Sequence, residues 1–257
     1  MNKIKIILSG ACGKLCTAIS DIVSERDDCE IICGIDKKHA DRSYPIYDSF
    51  DKITESADVI IDCSFHNTVK DVASYAVNAG IPVVICTTGH TDDEEEIIAR
   101  AARKTAVIKS RNMSLGINLL TELVRRTAAA LGEDFDIEIV EAHHRNKKDA
   151  PSGTALMLAD AARSAREAAG IDSEYVFDRQ GVRRERVSSE IGISSIRGGT
   201  IVGEHSVIFA GNDEVITLSH SAGSRSLFAT GAIKAAVFIA DKKSGFYTMS
   251  DVIDSLI

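Results

Sequence analysis

KIKIILSGACGKLCTAISDIVSERDDCEIICGID, residues Lys3 to Asp36, decides the fold. KIKIILSG is a short apolar run ended by a glycine and reads as a buried strand. GKLCTAISDIVSE spaces its apolar residues three and four apart, as a helix does, and CEIICGID is a second buried run. Two strands joined through a helix run parallel, and such crossovers are right-handed. Gly10 and Gly13 stand at the first strand-to-helix turn, in the spacing G-x-x-G-x-x-C that ends at Cys16. Glycines there let backbone approach a pyrophosphate, and the free N–H groups of the helix start attract its charge. Asp36 closes the second strand about 20 residues beyond Cys16, where a carboxylate accepts hydrogen bonds from a ribose. Lys37 and Lys38 follow at once and suit the extra phosphate of NADP(H), so NADH and NADPH both stay open.

The rhythm continues outward. ADVIIDCSF reads as a strand, NTVKDVASYAVNAG as a helix stopped at Gly80, IPVVICTTG as a strand, DDEEEIIARAARK as a helix with acids in its first turn, and TAVIKS as a strand. This alternation predicts a doubly wound parallel sheet with helices on both faces. After Ser114 the pattern changes to a helix over 115–131, a strand DIEIVEAHH and a helix from Pro151 to about Ala169. The strand-like pieces EIGISSIRG, TIVGEHSVIFAG and DEVITLSHSA follow, and short turns between consecutive strands predict a mixed or antiparallel sheet. SLFATGAIKAAVFIADK is helical again and is expected to return to the first domain. The fold class is therefore α/β, a Rossmann-type domain over 1–114 and 224–257 with a second, α+β domain over 115–223.

The 257 residues, 44% of them apolar, are enough for a proper core. A net charge of -8 and a pI near 5.4 disfavour nucleic acid or an anionic membrane as the main partner. MNKIKIILSG lacks the apolar core and small-residue cleavage site of a signal peptide, and no apolar run approaches membrane-spanning length, so the expectation is a cytoplasmic protein. Cys12, Cys16, Cys29, Cys33, Cys63 and Cys86 all fall in the first third without the pairing of a zinc site. They read as reduced packing residues, and no metal is expected.

EAHHRNKKDAPSGTALMLAD, Glu141 to Asp160, carries the chemistry. His143, His144 and Lys147 place proton carriers within five residues. Adjacent residues on a strand point to opposite faces, so the two histidines share a site only where the strand gives way to a loop, and RNKKDAP predicts that ending here. Ser152, Gly153 and Thr154 fall in the first turn of the next helix, whose open N–H groups suit a carboxylate or phosphate. With Arg145, Lys147 and Lys148 alongside, the stretch predicts a small anionic substrate.

EAHHRNKKDAPSGTA resembles the signature of the dihydrodipicolinate reductase family, also called 4-hydroxy-tetrahydrodipicolinate reductase. The resemblance extends over essentially the whole chain, through the turn at Gly10, CTTG at Cys86, SRNMSLGIN from Ser110, RGGTIVGEHSVIFAG from Arg197 and SRSLFATGAIKAA from Ser224. It implies an NAD(P)H-dependent reductase of the diaminopimelate route to lysine, a homotetramer, with a substrate-binding and oligomerisation domain following the dinucleotide domain. By motif position it implies His143 as acid/base residue, Lys147 as proton donor, and His144, Gly153 and Thr154 as holders of a cyclic dicarboxylate. On the cofactor side it implies Gly10, Ala11, Cys12, Gly13, Lys14, Leu15, Asp36, Lys37, Cys86, Thr87, Thr88, Ser110, Arg111, Asn112 and Met113.

Two positions depart from the family pattern: Cys16 replaces the third glycine of the turn, and Cys86 stands where the family has glycine in G-T-T-G. The expectation is that Cys16 widens the contact between the first helix and strand. Two other readings compete. An aspartate-semialdehyde or inositol-type dehydrogenase shares the two-domain plan, although the former needs a cysteine in its second domain and none follows Cys86. A non-catalytic nucleotide or redox sensor would keep the binding sites without turnover.

Overall fold

The computed structural model describes residues 3–181 and 183–256; residues 1, 2, 182 and 257 of the expected domain spans lie outside the described residues. Contacts within the chain divide it into two units, Met1–Leu115 with Ser226–Ile257, and Gly116–Arg225.

The first unit is built from β1 (Ile4–Ser9), α1 (Lys14–Ser24), β2 (Cys29–Ile35), β3 (Ile46–Tyr47), β4 (Val59–Asp62), α2 (Val69–Ala79), β5 (Val83–Ile85), α3 (Asp92–Ala102) and β6 (Ala106–Lys109). Ile6, Ile7 and Leu8 of β1 are all fully buried, so this strand has no solvent face and must lie inside a sheet covered on both sides. It does: β4 and β2 flank it in parallel. Period-2 alternation then divides the apolar residues between two cores. Ile6, Leu8, Ile61 and Val84 face α1, whereas Ile7, Ile60, Val83 and Ile85 face α2 and α3. Local signals end the helices where the sequence predicts: Gly80 adopts a left-handed φ of 67° after α2, and Thr91 and Glu94 form a capping box at the start of α3.

The second unit follows with α4 (Leu115–Leu131), β7 (Asp136–His143), α5 (Gly153–Ala168), β8 (Glu174–Val176), β9 (Glu190–Arg197), β10 (Glu204–Ala210) and β11 (Val215–Ser221). Its sheet has the order β11-β10-β7-β9-β8, antiparallel on one side of β7 and parallel on the other, the mixed sheet expected. Ile137, Ile139, Ile191, Ile193, Val207 and Phe209 point from it into a core with α4 and α5.

The chain then returns to the first unit as α6 (Ser226–Ile239), β12 (Gly245–Tyr247) and α7 (Met249–Asp254). The completed sheet is all parallel, in the order β12-β6-β5-β4-β1-β2-β3. Small residues let α6 approach closely: a Cβ on Gly231 would lie 1.8 Å from the Met113 carbonyl oxygen, so only glycine fits there. The short strands β3, β8 and β12 and helix α7 were not expected from sequence. These strands are brief and, unlike the equally short but fully buried β5, are not apolar runs, so neither a period nor an apolar run marks them.

Candidate active site

In the second unit the residues Ile137, Ile139, Glu141 and His143 alternate along β7 and therefore share one sheet face. The face is aliphatic where α5 covers it and ionisable beyond. Register adds partners from the neighbouring strands: His205 of β10 pairs with Glu141, His220 of β11 pairs with His205, and Arg197 of β9 pairs with His143.

Glu141 is fully buried and every donor around it is aimed at its carboxylate. Arg197 donates two hydrogen bonds, each 2.8 Å, one to each oxygen. The Ser152 N–H donates to Oε1 at 3.1 Å, and His143 Nδ1 lies 2.6 Å from Oε2. Burial works to raise this carboxyl, but the bonds from Arg197, His143 and Ser195 outweigh it and hold it at about 2. Glu141 is thus an anion, and an anion at Nδ1 fixes His143 with its proton there and with Nε2 as the open nitrogen. Gly203 leaves room at that nitrogen, since a Cβ there would sit 3.1 Å from Nε2.

Strand β7 ends at His143, and His144 lies in the turn beyond it, with Nε2 3.2 Å from Arg225. Lys147 is in the same loop, its N–H donating to the His144 carbonyl and its ammonium paired with Asp149 at 2.8 Å. Hydrogen bonding to Lys147 lowers the Asp149 carboxyl. Arg197 also donates to the Asp149 carbonyl at 2.6 Å, which ties this loop to the cation that clamps Glu141. Helix α5 opens beside them. Ser152 is its N-cap, accepting from the Ala155 N–H at 3.1 Å, while its hydroxyl lies 3.0 Å from His205 Nε2. Gly153 is exposed and Thr154 half-buried in the first turn. The His205 ring lies edge-on to His143 with centroids 5.2 Å apart. Burial, and next the neighbouring His143, pull its pKa down to about 4, so it is neutral at pH 7.

The positions expected from sequence, His143, His144, Lys147, Gly153 and Thr154, thus lie at one end of β7 and α5. Glu141, Arg197, His205 and Gly203 complete the surroundings and were not singled out. Glu141 carried a readable signal, an acid two residues before a histidine on a strand. Arg197 and His205 reach the site through strand pairing across more than 50 residues, and both lie in the stretch from Arg197 that carries the resemblance, where no local pattern ties them to Glu141.

In the first unit the cofactor positions all follow strand ends at the carboxyl edge of the parallel sheet. Gly10–Leu15 come after β1, Asp36 and Lys37 after β2, Cys86–Thr88 after β5, and Ser110–Met113 after β6. Gly10 has φ +81°, and a Cβ there would meet the Cys63 carbonyl oxygen at 2.7 Å. Gly13 is the N-cap of α1 and no side chain caps its first turn, which leaves amides for an anion. A cleft of about 910 Å³ includes Gly10, Gly13, Asp36, Lys37 and Lys38 in its wall. Turn, open amides and cleft fit a dinucleotide. Asp36 does more than wait for a ribose: its carboxylate accepts from the N–H groups of Cys12 and Lys38, each at 2.9 Å, and so shapes the turn itself. Cys16 is accommodated without exposure, its thiol donating to the Ser9 carbonyl at 3.5 Å.

The family model described as dihydrodipicolinate reductase, N-terminus, matches residues 4–113, and that described as dihydrodipicolinate reductase, C-terminus, matches residues 116–253. The chain belongs to the dihydrodipicolinate reductase family. It is 46% identical over 250 residues to the 4-hydroxy-tetrahydrodipicolinate reductase of Caldanaerobacter subterraneus subsp. tengcongensis, covering 97% of this chain and 98% of the relative. It is 43% identical over 254 residues to that of Clostridium novyi, covering 98% of each. Among solved structures, the dipicolinate-bound dihydrodipicolinate reductase from Paenisporosarcina sp. TG-14 superposes with a TM-score of 0.80 at 22% identity, covering 96% of this chain and 98% of that one. A myo-inositol dehydrogenase from Corynebacterium glutamicum reaches 0.60 at 16% identity, covering 99% and 94%. At these identities the two structures establish the fold shared by the reductase family and by dehydrogenases of the same plan. Among the described residues no helix is long and apolar enough to cross a membrane.

Proposed function

We propose that this chain is a 4-hydroxy-tetrahydrodipicolinate reductase, which reduces that substrate to tetrahydrodipicolinate with NADH or NADPH in the diaminopimelate and lysine pathway. Its relatives of that name at 43–46% identity, aligned over nearly their full length, support the reading. The single observation that carries it is the Glu141–His143 pair beside Lys147 and the start of α5, an oriented imidazole next to cations suited to a dicarboxylate.

The nicotinamide, when bound, supplies the hydride. Gly10–Leu15, Asp36, Lys37, Cys86–Thr88 and Ser110–Met113 are the residues we assign to holding the dinucleotide. His144, with Gly153 and Thr154 in the first turn of α5, binds the substrate carboxylates and so orients the ring, a contribution that lowers the barrier without any chemistry of its own. Lys147 delivers the proton that quenches the electron density left by reduction. His143 handles the accompanying proton through Nε2, its Nδ1 proton held by Glu141 throughout. Loss of the substrate hydroxyl as water completes the reaction. The biosynthetic role implies a cytoplasmic setting. We also assign the protein a homotetrameric state: the sheet face turned away from α5 exposes Ile196 and Val215, which supports contact with a second copy and is tested by light scattering.

The test couples the purified protein to the synthase that joins pyruvate with aspartate semialdehyde and follows nicotinamide absorbance with NADH and NADPH in separate cuvettes. Synthase-dependent oxidation is expected with at least one of them. No oxidation by a folded protein that still binds nucleotide would overturn the assignment in favour of the sensor.

A further inference from the structure

Cys16, Cys63 and Cys86, distant in sequence, converge on one face of the parallel sheet. Cys63 follows β4 and Cys86 follows β5. The ladder pairs Asp62 with Ile85, and the Cys86 N–H extends it by donating to the Asp62 carbonyl at 2.8 Å. Ile61 and Val84, two residues back and paired with each other, belong to the core lined by α1 and α6. Alternation therefore turns both thiols toward that core, and both pack against it. Cys63 and Cys86 also line one cleft together, and Cys16 belongs to the core both pack against. Neighbouring strands run about 4.8 Å apart, inside the roughly 4.4–6.8 Å between Cα atoms that a disulfide spans.

The three thiols are not equivalent. Cys16 has no exposed surface, and its thiol donates to the Ser9 carbonyl. Cys63 and Cys86 are partly exposed and border a cleft of about 250 Å³ together with Leu15, Thr87 and Thr88. A small oxidant in that cleft meets Cys86 with Cys63 directly beside it.

We propose that Cys63 and Cys86 form a reversible disulfide, a peroxide-modified site in the small cleft that both border. The Cys86 sulfur attacks hydrogen peroxide, breaking its O–O bond to give Cys86 sulfenic acid and one water. The Cys63 sulfur then displaces the sulfenic hydroxyl, forming the S–S bond and releasing a second water that carries away the Cys63 proton. The two sulfurs together lose the two electrons that reduce the peroxide. A dithiol reverses the bond by exchange. The bond itself is independent of the reaction assigned above, but its consequence, that disulfide and nucleotide exclude each other, rests on the nicotinamide reading.

The experiment treats the full-length protein with hydrogen peroxide, alkylates it with iodoacetamide and digests it with trypsin. Cleavage at Lys70 separates the two cysteines, so the expected product is a crosslink between peptides 53–70 and 71–100 that dithiothreitol removes. Saturating NADH is expected to slow its formation several-fold, and the oxidised protein to lose NADH-binding fluorescence. In Cys63→Ala the crosslink should vanish while dimedone labels Cys86. Cys63 remaining alkylatable while Cys86 proceeds to sulfinic acid, or a crosslink joining other cysteines, would overturn the proposal. A crosslink with unchanged NADH binding would uphold the disulfide and overturn the placement of the nucleotide against Cys86.

Discussion

Glu141→Gln is the most demanding test of the site. Glutamine keeps the shape of the side chain, removes its charge and replaces one acceptor oxygen with a donor amide. Donated bonds converge on the two carboxylate oxygens from His143, from the Ser152 N–H, from Ser195 and twice from Arg197, so at least one donor must face another donor. Removing one partner of a buried ion pair costs about 3–5 kcal/mol. Arg197 keeps 20% of its side chain exposed, and water reaching it points to the lower end. Linkage gives an independent figure: a carboxyl held at about 2, against an ordinary value of about 4.3, contributes on the order of 3 kcal/mol at neutral pH. The sign is that of a lowered carboxyl, with the stabilisation complete above the unfolded value and lost as pH falls through the folded one. Urea unfolding at pH 7, 5 and 3 should therefore show wild type and variant separated by about 3 kcal/mol at the two higher values, the gap narrowing at pH 3. A gap under about 1 kcal/mol at pH 7, the scale of an exposed pair, would refute the reasoning, as would a gap that pH does not change. Combining Glu141→Gln with Arg197→Met should cost less than the two single changes together, because no charge is then left unpaired.

His205 acts in a separate acid window. Its pKa, lowered to about 4 by burial, means that the unfolded chain takes up the proton first, so stability falls as pH drops from about 6.5 toward 4. His205→Gln should flatten that part of the Tm profile, and a profile as steep as wild type would show that His205 does not set it. His143→Ala and Lys147→Ala should each lower kcat by about a hundredfold or more while nucleotide affinity, read by fluorescence titration, stays near normal. Asp36→Ala should weaken both NADH and NADPH, since it removes the acceptor at the Cys12 N–H as well as any ribose contact. A loss confined to NADH would mean that the ribose contact dominates. Ser152→Ala removes an N-cap bond and should cost about 1 kcal/mol in urea unfolding at pH 7; no loss would mean that the first turn of α5 is held by other bonds.

The first-unit fold was legible because β1, β4 and β5 are apolar runs buried on both faces and α2 and α3 each announce an end, as Gly80 and Thr91 do. The short strands β3, β8 and β12 were not, because two or three residues form a strand only when a neighbour's edge is already there to pair with. Cys16 shows a related limit. A motif that prefers glycine does not say where a larger side chain goes, and here the thiol is buried whole and hydrogen-bonded to Ser9.

The ionisable end of β7 divides in the same way. In DIEIVEAHH the positions Ile137, Ile139, Glu141 and His143 keep one period while changing from aliphatic to ionisable, so a strand already committed to a core must carry a carboxylate into it. A buried carboxylate demands cations or N–H donors. That demand can be stated from the sequence alone, since acid and histidine share a face and the acid cannot remain unpartnered. Which cation answers it cannot, because Arg197 lies 56 residues away and is delivered by the parallel register of β7 with β9. A one-residue slip of β9 would turn Arg197 to the opposite face and leave Glu141 buried without its cation, so the ion pair and the register stand or fall together. Arg197→Met with Glu141 retained should accordingly lower stability and kcat together, and a variant that keeps full stability would refute the link.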